Sequence, residues 1–156
     1  MVAGGKRYHD IDTNQIILLG HSEGSSLIPY IAKSRNDIKA LISLGGPRTP
    51  LDTLLAYQLK HITYTCGGDT TMANAQAAQI LGYFANIRSG NWTSATPALM
   101  GVSASVWADY IHAVDSVSVH YNTCNLPTLF VGFGLDMNVP PAELVRLQNE
   151  ITITND

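Results

Sequence analysis

The hydrophobic positions fall into short blocks divided by glycine, proline and small polar residues. The first block, Ile16-Ile17-Leu18-Leu19, stops at Gly20. Four aliphatic residues without polar alternation predict a parallel strand buried on both faces. Leu27, Ile28, Ile31 and Ala32 follow at helical spacing, and Pro29 among them is expected to remove one helical hydrogen bond and kink the helix. A second strand is expected from Ala40 to Leu44, closed by Gly45-Gly46-Pro47. Strand, helix and strand in that order form a βαβ unit, which implies a parallel sheet.

The middle of the chain changes character. Residues 51–60, about 72–87 and about 103–112 read as three helices, separated by Cys66-Gly67-Gly68-Asp69 and Ser89-Gly90-Asn91. Residues 48–112 therefore read as a helical insertion, a cap between the two parts of a core at 1–47 and 113–156. A third strand is expected at Thr128-Leu129-Phe130-Val131, ending at Gly132. After Pro140-Pro141, the stripe Leu144, Leu147 and Ile151 predicts an amphipathic helix with proline in its favoured first turn. Ile151 to Ile153 looks like the opening of one more strand. The expected fold class is α/β, a parallel sheet of three to four strands with a helical cap.

Composition narrows the function. With 46% hydrophobic and 13% charged residues in 156, the chain is a core-forming globular sequence and not a disordered one. No apolar run reaches the roughly 18–20 residues of a membrane-spanning helix. The net charge is −3 and the bases are scattered, so nucleic acid is not an expected partner. The charged share is about half of ordinary usage, so part of the surface is expected to touch more protein. Two cysteines, Cys66 and Cys124, allow one bridge and no zinc site, and no metal or cofactor is expected. Met1 to Asp12 lacks the apolar stretch of a signal peptide; the compartment stays open, with the cytoplasm favoured by default. Asn91-Trp92-Thr93 matches a glycosylation acceptor, a triplet common by chance.

The candidate chemistry begins at Gly20-His21-Ser22-Glu23-Gly24, between the first strand and the first helix. In a chain with 13 glycines the bare G-x-S-x-G pattern is weak, and its position gives it meaning. A serine on a tight strand-to-helix turn projects its Oγ over the carboxyl edge of the sheet. Glycines two before and two after it let strand and helix approach without Cβ clashes. The helix start behind it adds positive potential for a developing oxyanion. The second candidate is Asp136, in the loop Gly132-Phe133-Gly134-Leu135-Asp136-Met137-Asn138-Val139-Pro140 after the third strand. A carboxylate there lies at the same edge and suits the acid of a triad; the plainer reading is an Asp that caps its own turn. His21 is expected to be packed at the bend, His120 to sit in a surface or loop position, and His112 to end a cap helix. Trp107 and Tyr110 are candidates to line a substrate pocket, though aromatics at helical spacing also suit a plain core.

The Ser22 bend, the Gly45-Gly46-Pro47 break, the helical insertion, and Leu126-Pro127-Thr128 leading to Gly132, Asp136 and Val139-Pro140 together resemble the α/β-hydrolase superfamily. They look most like its capped serine esterases and serine peptidase-like members. The stretch Trp107-Ala108-Asp109-Tyr110 is similar to a cap's return helix. The resemblance implies Ser22 as nucleophile, Asp136 as acid, and the backbone N–H of Glu23 as half of an oxyanion hole. It implies a small ester substrate and no cofactor. Two departures stand out. The family's order is Ser, Asp or Glu, then His, and no histidine follows Asp136. Little chain precedes the strand before Ser22, whereas family members have several strands there and take the second oxyanion N–H from an early loop. The sequence therefore looks like the middle-to-late part of such a hydrolase, with weak or no turnover expected alone. A non-catalytic remnant or interaction module of the same fold, and a serine peptidase, are the rival readings. An uncovered sheet edge and apolar face are expected, to be paired with a second copy or a complementary chain.

Overall fold

Three apolar segments pair into one parallel sheet in the order β1-β2-β3: β1 Ile16–His21, β2 Ile38–Leu44 and β3 Thr128–Val131. The computed structural model describes residues 11–152. Six helices complete it: α1 Glu23–Ala32, α2 Leu51–Thr65, α3 Thr70–Arg88, α4 Ala104–Val114, α5 Val117–Cys124 and α6 Ala142–Glu150. The chain forms a small α/β domain whose parallel sheet is flanked by helices. Ile151 and Thr152 are not in a strand, and the rest of the expected fourth strand lies outside the described residues.

The sheet is packed on one face. Leu41 and Ile38 of β2 meet Ile28 and Ala32 of α1, Val117 and Tyr121 of α5, and Leu147 of α6, with Ile16, Leu18 and Phe130 against them. The expectation that the first strand is buried on both sides is corrected. Side chains alternate along a strand, and the helices cover only the Leu18 side. On the other side Ile17 is 57% exposed and Leu19 58%. Register puts Leu19 beside Ile42, and Ile42 beside Leu129, itself 58% exposed. An apolar row thus crosses all three strands on an open face.

The helical segment has a small core of its own. Phe84 and Ile87 of α3 pack against Ala104, Trp107 and Ile111 of α4. Arg88 ties the segment together. It donates two hydrogen bonds to the buried carboxylate of Asp52 on α2 (2.8 and 2.9 Å) and two to Asp115 after α4 (2.6 and 3.1 Å). These bonds push its guanidinium further above an already high value. Asp69 starts α3 by accepting from the N–H groups of Thr71 and Met72, as an N-cap does.

Helix α5 is absent from the sequence expectation. Val117, Val119 and Thr123 are β-branched and weak helix formers. Burial of Val117 and Tyr121 on one face, four residues apart, outweighs that preference. Asn125 closes the helix in the left-handed region, at φ 44°. His120 is consequently on a helix and not in a loop, half-buried against the edge of the Tyr30 ring.

Pro29 lies inside α1 and is buried there. Proline has no N–H, so the carbonyl of Ser25, four residues earlier, loses its helical donor. The fully buried Tyr121 supplies the replacement, its hydroxyl donating to the Ser25 carbonyl at 2.8 Å. Tyr121→Phe leaves that buried carbonyl unpaired and is expected to cost about 1–3 kcal/mol. A urea melt should show a lower midpoint with unchanged slope.

Candidate active site

Ser22 sits between β1 and α1 at φ 52° and ψ −121°. Non-glycine residues rarely adopt this region, and such strain persists only where the surroundings enforce it. The enforcement is visible. The Ser22 N–H donates to the Leu44 carbonyl at the end of β2 (2.8 Å), and the Ser25 N–H donates to the Ser22 carbonyl (2.9 Å). The Ser25 hydroxyl reaches back to the Gly20 carbonyl at 2.7 Å. A Cβ on Gly20 would stand 2.4 Å from the Gly24 carbonyl oxygen, so only glycine fits at that point. The second glycine differs from expectation: a Cβ on Gly24 would meet nothing within 4 Å. Its backbone, not its missing side chain, is what Gly20 must accommodate.

Ser22 is half-buried and opens into a cavity of about 130 Å³. That is roughly room for one benzene-sized group. Leu51 and Leu54 of α2, with Val114 of α4, make its apolar wall, while Glu23, Gln58 and Tyr110 bring polar groups. Glu23 is the first residue of α1, so its N–H has no helical partner and is available beside Ser22. Its side chain is exposed. Tyr110 and Glu23 line the cavity together; burial first, and then the Glu23 carboxylate, push the Tyr110 phenol well above the ordinary value. The phenol therefore keeps its proton and is no base.

The loop after β2 forms part of the cavity, and Glu143 holds it. This buried carboxylate accepts from the N–H groups of Arg48 (2.8 Å) and Thr49 (2.6 Å) and from the Thr49 hydroxyl (2.8 Å). Neither Glu143 nor the lining residues Thr49, Leu54 and Gln58 stood out in the sequence. For Thr49 the one signal is position, since residues just past the carboxyl end of β2 must lie near Ser22.

Asp136 follows β3 at the same carboxyl edge. Its Oδ1 accepts from the N–H groups of Asn138 (2.8 Å) and Val139 (2.9 Å), so the carboxylate does cap its own turn. Its Oδ2 points toward Gly45, 3.4 Å from where a Cβ would be. Gly45 donates its N–H to Val131, and neighbouring Leu44 accepts from Ser22, so the end of β2 stands between the two candidates. Around Asp136 the loop exposes Phe133, Leu135 and Met137.

Other candidates fall elsewhere. Trp107 is 9% exposed within the helical core and donates its indole N–H to the Leu99 carbonyl, so it fills that core and does not line the cavity. Phe84 of α3 and Ile111, one turn on in α4, pack in the same core. No histidine lines the cavity among the described residues. His21 is exposed and not packed, because the sheet face it shares is open. His61 stacks on Tyr57, and His112 is exposed beside Arg88 and Asp115. Burial, then Lys33, lowers the affinity of His120 for a proton. His9 lies outside the described residues. Among those described, no helix is long and apolar enough to cross a membrane, and no three His, Cys, Asp or Glu side chains gather as metal ligands. Cys66 and Cys124 are both free thiols.

Comparison with known proteins finds no family model, no curated protein and no solved structure that matches the chain.

The two glycines of the bend give opposite expectations. Gly20→Ala drives a Cβ into backbone and should cost several kcal/mol, about the upper range for single substitutions. Gly24→Ala meets open space on a helix and should be neutral or stabilising by about 0.5–1 kcal/mol. Thermal melts of the two variants, followed by circular dichroism, compare them directly.

Proposed function

We propose that this chain carries the nucleophile-bearing part of a serine hydrolase of the α/β-hydrolase type, acting on small carboxylic esters. The observation that carries the reading is the strained backbone of Ser22 between β1 and α1, at the mouth of a cavity. Strain at a polar side chain beside a cavity is a mark of function, because a serine that only filled space would relax. In this reading residues 48–112 are the cap, and α2 and α4 supply the walls of the substrate pocket.

The chemistry follows from the groups present. Ser22 Oγ attacks the ester carbonyl and forms the acyl-oxygen bond, while its proton passes to a base and on to the departing alcohol. Water then attacks the acyl group and restores the serine. The Glu23 N–H holds the developing oxyanion, helped by the positive end of α1. Asp136 keeps Oδ2 available to orient an imidazolium. The imidazole is the member that the cavity lining does not supply. Without it, about 10³–10⁴-fold over water is what a site of this kind retains, and that requires an intact oxyanion hole.

A second reading is a non-catalytic interaction module. The open apolar row Ile17, Leu19 and Leu129 favours it, because exposed apolar surface of this kind marks contact with more protein. Under the hydrolase reading, the same surface would receive the second copy or complementary chain that brings the missing base.

A fluorophosphonate probe separates them. Esterase chemistry predicts slow labelling that maps to Ser22 by mass spectrometry, quickens with added imidazole and vanishes in Ser22→Ala. A folded chain with no label at Ser22, imidazole present, leaves the interaction module standing and overturns the hydrolase.

A further inference from the structure

The charge of the cavity is one-sided. Among the described residues Glu23 is its only charged lining residue, and no lysine, arginine or histidine of theirs lines it. Among the described residues no cation pairs with Glu23. The nearest base in sequence on the lining loop, Arg48, is turned away and bound to Glu150. Glu23 shares the cavity lining with Tyr110, and a single phenol hydroxyl can occupy only part of a carboxylate's acceptor sites. Opposite stand Leu51, Leu54 and Val114.

A carboxylate, an aromatic ring and apolar walls around a space of benzene size are the groups that bind an alkylated ammonium. The carboxylate offers charge, the ring offers its negative face, and the aliphatic wall takes the methyl groups. An anionic group would enter beside an unneutralised carboxylate with no donor base to hold it. We infer that Glu23 and Tyr110 form a specificity subsite, and that the preferred substrates are small esters bearing a quaternary or alkylated ammonium group. The inference deepens the proposed esterase and rests on it for where the ester bond lies. Glu23 then serves twice, its N–H toward the oxyanion and its carboxylate toward the cation.

Acetylcholine and its uncharged carbon isostere, in which carbon replaces the quaternary nitrogen, differ only in that charge. Their binding is measured by NMR titration of folded Ser22→Ala protein, where no acyl transfer can occur. Acetylcholine should bind about tenfold more tightly than the isostere at low salt, with the gap narrowing as salt rises. Glu23→Gln in the same background should abolish the preference, while Tyr110→Phe, which keeps the ring, should retain most of it. Glu23 is exposed, so its variant is expected to fold. Equal affinities, no binding of either ester, or a preference that survives Glu23→Gln overturns the subsite. The readout needs no reactive serine. The subsite can therefore fail while Ser22 still takes the fluorophosphonate, or hold while it does not.

Discussion

Backbones of three elements converge at Ser25, and most of the domain depends on that crowding. Its hydroxyl donates to Gly20 at the end of β1 and lies 3.3 Å from the Leu44 carbonyl at the end of β2. A Cβ on Gly46 would be 2.7 Å from the Ser25 Cβ, so the loop leaving β2 must pass as bare backbone. The Ser25 carbonyl faces Tyr121 of α5. One small residue therefore locks the first strand, first helix, second strand and fifth helix together. Protein interiors transmit such constraints because they are close-packed. The strain at Ser22 is upheld by these contacts and by the bond from its own N–H to Leu44.

The same crowding explains the placement of the cavity. With β1, α1 and β2 fixed at their junction, the loop after β2 can leave only over the carboxyl edge, where Glu143 receives it. Helix α2 begins there, and Gln58 reaches from it to the Asn138 carbonyl in the Asp136 loop at 2.8 Å. Helices α2 and α4 thereby roof Ser22, while α3 lies behind them and is held by Arg88 between two aspartates. Arg88, Asp52, Asp115 and Glu143 are engaged in such ties, while Ile17, Leu19 and Leu129 stand on the open sheet face.

Much of this was legible in the residues and some was not. All three strands and five of the six helices could be read, because glycine and proline mark their ends and the apolar periodicity changes between them. Helix α1 was legible despite Pro29, since the flanking stripe is helical. Helix α5 was hidden because its β-branched residues argue locally against a helix and only tertiary burial reverses them. Two-sided burial of β1 was misread because a continuous aliphatic run does not say how many faces are covered. At the site, Ser22 and Tyr110 could be picked out by motif and position. Trp107 could not be assigned correctly, since its surroundings come from α3, far away in the chain. Glu143 was invisible because a buried carboxylate on an amphipathic helix looks like any solvated one until its partners are known.

Pro29 and Tyr121 illustrate a wider consequence. A residue with an N–H at position 29 would give the Ser25 carbonyl a helical donor again and make the phenol redundant. The two positions are therefore epistatic: the order of their replacement matters, and a lineage can shed the hydroxyl without harm only after it has shed the imino acid. Two sites remote in the primary structure thus share one hydrogen-bonding obligation, so mutational tolerance at either can be judged only with the other known.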